Sequence, residues 1–154
     1  MARATYDTGA VVRQLNRILE AELAGVVRYT HYSFMVFGFH RIAIVQWLRG
    51  QASESLLHAT EAGEMITSIG GHPSLAIGPL LDTHRHDLSD ILAEALEHET
   101  MALDLYSELI GLVEGKSVML EEYARKMIGT EEVHVGEVRK MLRGPEAAPP
   151  KRKK

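Results

Sequence analysis

The feature that most constrains this chain is the placement of its prolines. None occurs before Pro73, and the others are Pro79, Pro145, Pro149 and Pro150. Proline removes a backbone donor and clashes with the preceding helical turn, so a long proline-free run is one in which long helices can persist. Breaks fall where glycine and proline cluster. The pattern predicts four helices, over residues 8–37, 42–69, 84–114 and 117–143. The second stops at "GGHP", where glycine suits a helix C-terminus and Pro73 blocks continuation. Residues 74–83 make a connection long enough to cross a bundle. Residues 1–144 therefore read as one domain, and residues 145–154, "PEAAPPKRKK", as a disordered basic tail.

Each predicted helix carries an apolar stripe that advances by alternating steps of four and three, the seam of a left-handed bundle. The stripes run through Val11, Leu15, Ile18, Glu22, Gly25 and Tyr29, then through Leu48, Gln51, Ser55, His58, Ala62 and Met65. The third passes through Leu92, Ala95, Glu99, Ala102, Tyr106 and Leu109, and the fourth through Leu120, Ala124, Met127, Glu131, His134 and Val138. No strand-like alternation competes over a comparable length. The expected fold is all-α, a four-helix bundle with a long crossover between helices two and three.

The stripes turn polar near their middles. Glu22, Ser55 with His58, Glu99, and Glu131 with His134 fall where hydrophobic residues belong. A core carboxylate left alone costs several kcal/mol. Taken singly, such a Glu is usually a rim residue and such a His a satisfied core histidine. Three carboxylates at one depth on three helices need a shared partner, and the middle of the stripes offers no Arg or Lys. A bound cation is the simplest account, because metals accept carboxylate and neutral imidazole together. With no cysteine in the chain, its ligands must be His, carboxylate and water.

The net charge of −4 hides a division: the last four residues are all basic, so the 21 acidic side chains all belong to the rest of the chain. An acidic body does not attract nucleic acid over a broad surface. No apolar run nears the roughly 18 residues that a membrane span needs, and the N-terminus has no signal-peptide core, so a cytoplasmic address is expected.

The segments "LNRILEAELAGVVRYTHYS", "ALEHETMAL" and "TEEVHVGEV" resemble bacterioferritins, within the ferritin-like di-iron family. The resemblance implies iron at a di-iron centre: Glu22 and Glu99 as terminal ligands, Glu131 as a bridge, and His58 and His134 as nitrogen donors. It implies that Tyr29 supplies an electron or a hydrogen bond near the site. It also implies oxidation of Fe²⁺ by oxygen or peroxide, for iron storage or detoxification, in a homo-oligomer that is a dimer at least.

Three positions depart from that family's pattern. The bridging Glu expected on helix two is Ser55, a poor ligand. The haem-ligating methionine position is Leu56, so no haem is expected. The tail cannot form the family's short fifth helix, which bears on whether a 24-subunit cage assembles. Glu54, four before His58, shares its face and is a candidate substitute ligand; Glu61, three after, is a weaker one. If neither enters, the centre loses a bridging negative charge: the expected outcomes are slower oxidation or a weaker second metal, a single metal or a divalent ion that is not oxidised, or a water or hydroxide on Ser55 filling the vacancy.

Two further stretches carry readings. The cluster "DTHRHD", with His84 and His86, is expected to be a capped helix start rather than a surface metal site. The tail residues Lys151, Arg152, Lys153 and Lys154 allow weak, salt-dependent DNA contacts, although a solubilising terminus is the simpler reading.

Overall fold

A computed structural model describes residues 5–80 and 83–144. Four helices follow in order: α1 (Thr8–Met35), α2 (Arg41–Ser68), α3 (Leu88–Val113) and α4 (Val118–Arg143). No strand occurs among the described residues. The basic tail, with the expectation of disorder and of DNA contact, lies outside them, as does Asp82 of the "DTHRHD" stretch.

Local chemistry sets the ends. Asp7 caps α1 by accepting from the Ala10 backbone N–H at 3.0 Å, and Ser117 caps α4 by accepting from that of Leu120 at 3.4 Å. Such caps satisfy donors that the first helical turn leaves free. Lys140 and Arg143 complement the C-terminal end of the α4 dipole. The third helix starts four residues later than its period suggests. His84 sits at a φ of 51°, a left-handed conformation that interrupts a right-handed helix. Asp87 takes the N-cap position in extended conformation, but its side chain makes no capping bond, so the capped start expected there is present in backbone only.

The crossover lies along α1. Asn16 donates to the His72 carbonyl at 3.1 Å and accepts from the Ser74 backbone at 2.7 Å. Ser74 donates to Glu20 at 2.6 Å, the Gly78 N–H donates to the Glu20 carbonyl at 2.9 Å, and Arg28 donates to the Pro79 carbonyl. A Cβ on Gly78 would come within 3.0 Å of that carbonyl oxygen, so glycine permits this approach.

The core has two apolar halves. One packs Leu15, Ile18, Ile66, Leu109, Leu120 and Met127, and the other packs Tyr32, Leu48, Ala52, Ile91 and Ala95. Each fully buried aliphatic side chain contributes about 1.5–3 kcal/mol. Between the halves lie Glu22, Ser55, His58, Glu99 and Glu131, all buried, with His134 half-buried beside them. The stripes read from the sequence thus face inward, and their polar interruption is one layer across all four helices.

Candidate metal centre

Glu131 organises the layer. It is 1 % exposed, and its two oxygens face different histidines. Oε1 lies 3.3 Å from His58 Nδ1, which is also 3.4 Å from Glu22 Oε1. Oε2 lies 3.4 Å from His134 Nδ1, which is also 3.5 Å from Glu99 Oε2. Two triads result, Glu22–His58–Glu131 and Glu99–His134–Glu131, each with its ligand atoms within 4.8 Å of one another. Two atoms bonded at about 2.1 Å to one metal stand roughly 3.0–3.4 Å apart, so these separations suit a shared cation. Helix periodicity explains the pairing, because Glu131 and His134 are three apart and share a face.

The remaining bonds hold the acids in place. Tyr106 donates to Glu22 Oε1 at 2.8 Å, and Tyr29 donates a very short hydrogen bond to Glu99 Oε1. Glu131 Oε2 is buried with no hydrogen-bond partner. Among the described residues no Arg or Lys pairs with Glu22, Glu99 or Glu131; their charged neighbours are the two histidines. An orphaned carboxylate oxygen on a ring of acids and imidazoles is a donor set suited to a divalent metal.

Protons take up this charge in the metal-free chain. Burial opposes charging His58, but bonds to Glu131 and Glu22 outweigh it and push the imidazole up to about 10. The same balance, with Glu131 and Glu99, raises His134 to about 11. Burial lifts Glu22, and it lifts Glu99 to about 7. Burial opposes ionising Glu131 too, yet the two neighbouring imidazoles hold it well below the usual carboxylate range.

The helix-two acid takes an outer position. Glu54 Oε1 is 3.1 Å from His134 Nε2 and 3.7 Å from His58 Nε2, on the far side of each ring from the triads. It belongs to neither triad, although it lines the same small cleft with Gln51 and Ser55. Glu61 instead pairs with Lys126 at 3.0 Å. Leu56 points outward and is exposed. His84 and His86 join no group of metal-ligand type among the described residues; the His86 ring lies 5.7 Å from that of His31.

Two residues near the layer have no part in the sequence reading of the site. Tyr106 reads as ordinary stripe, and its signal is spacing: Glu22–Tyr29 and Glu99–Tyr106 are both seven apart. His98 falls off the α3 stripe, yet it is 3 % exposed and its Nδ1 has no hydrogen-bond partner. Burial, then Arg28, pull it down to about 4, so it is neutral. Its Nε2 comes 2.7 Å, and Ser55 Oγ 2.8 Å, from the point where a Cβ on Gly25 would stand. A buried face wider than one stripe, through Ile91, Glu94, His98 and Leu105, is the signal that would have found it.

A family model described as Ferritin, the ferritin-like domain, matches residues 12–147. No curated protein sequence matches the chain. Among solved structures, a ferritin-like diiron-carboxylate protein from Bacillus anthracis superposes with a TM-score of 0.80 at 22% identity, covering 90% of this chain and 99% of that one. The bacterioferritin-related protein from Bacteroides fragilis, a dodecameric thioferritin, gives 0.82 at 22%, covering 89% and 86%. The bacterioferritin of Rhodobacter capsulatus gives 0.78 at 21%, covering 97% and 100%.

Proposed function

Because the chain belongs to the ferritin-like domain family, we propose that its two triads hold a pair of metal ions and that the physiological metal is iron. The observation that carries this reading is Glu131, whose two oxygens each serve one triad. Bound as substrate, two Fe²⁺ give one electron each to peroxide, which with two protons becomes two waters, or to oxygen, which with two protons becomes peroxide.

The protein's share is binding and charge. Glu22 and His58 hold one position, Glu99 and His134 the other, and Glu131 spans both. Tyr106 and Tyr29 fix the two terminal carboxylates from the opposite helix. Glu54 lies behind both rings, 3.1 Å from His134 Nε2 and 3.7 Å from His58 Nε2, and its charge there favours a proton on Nε2, chiefly in His134, with Nδ1 left to face the triad. Tyr29, buried and bonded to Glu99, is the residue placed to pass an electron or a proton to the layer.

Ser55 favours one rival, a site that holds a single metal and does not oxidise it. Metal analysis after anaerobic Fe²⁺ loading, followed by oxygen or peroxide addition, separates the two. Two metals per chain with oxidant consumption support the di-iron reading. About one metal per chain or fewer, with no oxidation above buffer, overturns it.

The chain also self-associates under this reading, supported by exposed Phe34, Phe37, Phe39, Ile42 and Leu57. A monomer mass in solution overturns that part. No helix among the described residues is long and apolar enough to cross a membrane.

A further inference from the structure

The stretch "DTHRHD" takes no part in the metal layer; its described residues stand where α1 stops and α3 starts. His84 holds a left-handed backbone at a φ of 51°, uncommon for a residue with a side chain, and residues 83–87 stay outside the helix. His86, two residues on, is half-buried, and its ring lies 5.7 Å from the ring of exposed His31 on α1, tilted by 60°. Two clefts, of about 510 and 220 Å³, open beside His86, and Met35 lines both of them with it. His31 and Met35 are four apart at the end of α1, so their side chains share a face. Two imidazoles and a thioether are thus brought to one patch, far along the bundle from the acidic layer.

Geometry and donor type decide which ion suits that patch. A metal–nitrogen bond of about 2.1 Å puts an imidazole centroid about 3.2 Å from the ion. Two imidazoles on a three-coordinate ion then stand about 5.5 Å apart, and two at right angles about 4.5 Å. The His31–His86 separation matches the first arrangement. Carboxylates do not complete a set: Asp87 and Asp90 line the larger cleft, yet among the described residues neither joins His86 in a triad of histidine and carboxylate atoms. Arg85 lines that cleft too and opposes a divalent charge. The third donor is therefore the Met35 sulfur. A thioether is a soft ligand that favours Cu(I), imidazole also accepts copper, and Zn²⁺ asks for a fourth ligand. The carboxylate-rich layer suits harder ions, so the two places differ in kind.

We propose that His31, Met35 and His86 form a three-coordinate site for a single Cu(I) ion at the end of the bundle, separate from the di-metal layer. Two of its ligands come from one face of α1, and the third comes from the irregular segment before α3. All three are neutral donors, so the site holds a monovalent ion without needing a carboxylate in contact. The inference does not depend on iron in the layer and stands or falls by its own measurement.

The test titrates the full chain with Cu(I), anaerobically, against the chromophoric chelator bicinchoninate. The native chain is expected to take one tight Cu(I) from the chelator, and its copper X-ray absorption spectrum to show nitrogen neighbours and one sulfur neighbour. His31→Ala and His86→Ala should each weaken that equivalent at least a hundredfold. Met35→Leu, which keeps the apolar bulk, should weaken it at least tenfold and remove the sulfur signal. Melting temperature screens each variant for folding, and the sulfur signal of the native chain decides the matter if a variant fails to fold. A native chain that takes no Cu(I) from the chelator overturns the proposal. So does a bound copper without a sulfur neighbour, or an affinity that stays the same in all the folded variants, which would place the copper in the layer instead.

Discussion

Tyr106 of α3 donates its hydroxyl hydrogen to Glu22 of α1 across 2.8 Å. The reverse bond is also made: Tyr29 of α1 donates to Glu99 of α3. In each helix the acid precedes the tyrosine by seven residues, about two turns, so the two helices exchange the same pair of contacts. Glu22 and Glu99 are thus each held by a phenol from the other helix.

That exchange predicts separable effects. Tyr106→Phe frees Glu22, and Tyr29→Phe frees Glu99. Losing an outer-shell partner typically costs 10–100-fold in metal affinity. The first variant should weaken the ion beside His58 and the second the ion beside His134. A two-site Co²⁺ titration followed by the imidazole signals in NMR reads which site suffers. If both variants weaken the same site, the pairing of tyrosine with triad is wrong.

The placement of the layer is legible in the sequence because the sequence is periodic where the bundle is packed. Glu22, Glu99 and Glu131 lie on their stripes, so period alone brought them to one depth. Helix ends were less legible: the third helix begins at Leu88 because His84 adopts a left-handed backbone, which residue type does not announce. Period puts Tyr106 on the core side but does not name its partner, since that depends on a neighbouring helix. His98 is not legible from one stripe, because α3 buries a wider face. Glu54 shares the face of His58 as expected, but which nitrogen it reaches depends on ring orientation, set by Glu22 and Glu131 on other helices.

Glu54 provides the second prediction. Its oxygen lies 3.1 Å from His134 Nε2 and 3.7 Å from His58 Nε2. Glu54→Gln keeps the size and removes the charge that stands behind both rings, closer to His134. Metal affinity should fall about 10–100-fold at the His134 site and less at the His58 site, with stoichiometry unchanged, since neither triad loses a ligand. Competition against a chelator measures this. Loss of one whole equivalent would make Glu54 a ligand instead, and an unchanged affinity would remove it from the site.

Removing triad members should follow a different arithmetic. Glu22 serves one triad, whereas Glu131 serves both. Glu22→Ala should leave about one tightly bound metal per chain, and Glu131→Ala well under one, because a site that must order its ligands loses affinity when the shared one goes. Elemental analysis after gel filtration counts them. Equal losses from the two variants would contradict a bridging role for Glu131.

The last prediction concerns pH, and its sign follows from which groups hold protons in the metal-free chain. Burial resists charging His58, but Glu131 and Glu22 push it up to about 10, against an ordinary 6.5. Burial likewise resists charging His134, and Glu131 and Glu99 push it up to about 11. A group raised on folding stabilises the fold fully below its unfolded value and loses that contribution as pH climbs through its folded value. Glu99, lifted by burial to about 7 from 4.5, also binds its proton more tightly when folded, so it too loses stability for the fold as pH rises. Glu131 runs the other way, but its contribution is lost only on acidification below the ordinary carboxylate range. The metal-free chain should therefore melt at progressively lower temperature from about pH 6 to about pH 9. Bound metal needs the same atoms deprotonated, so its stabilisation grows over that range. The gap in melting temperature between Co²⁺-loaded and metal-free protein should widen with pH. A gap that stays constant or narrows would mean that protons and metal do not compete for His58 and His134.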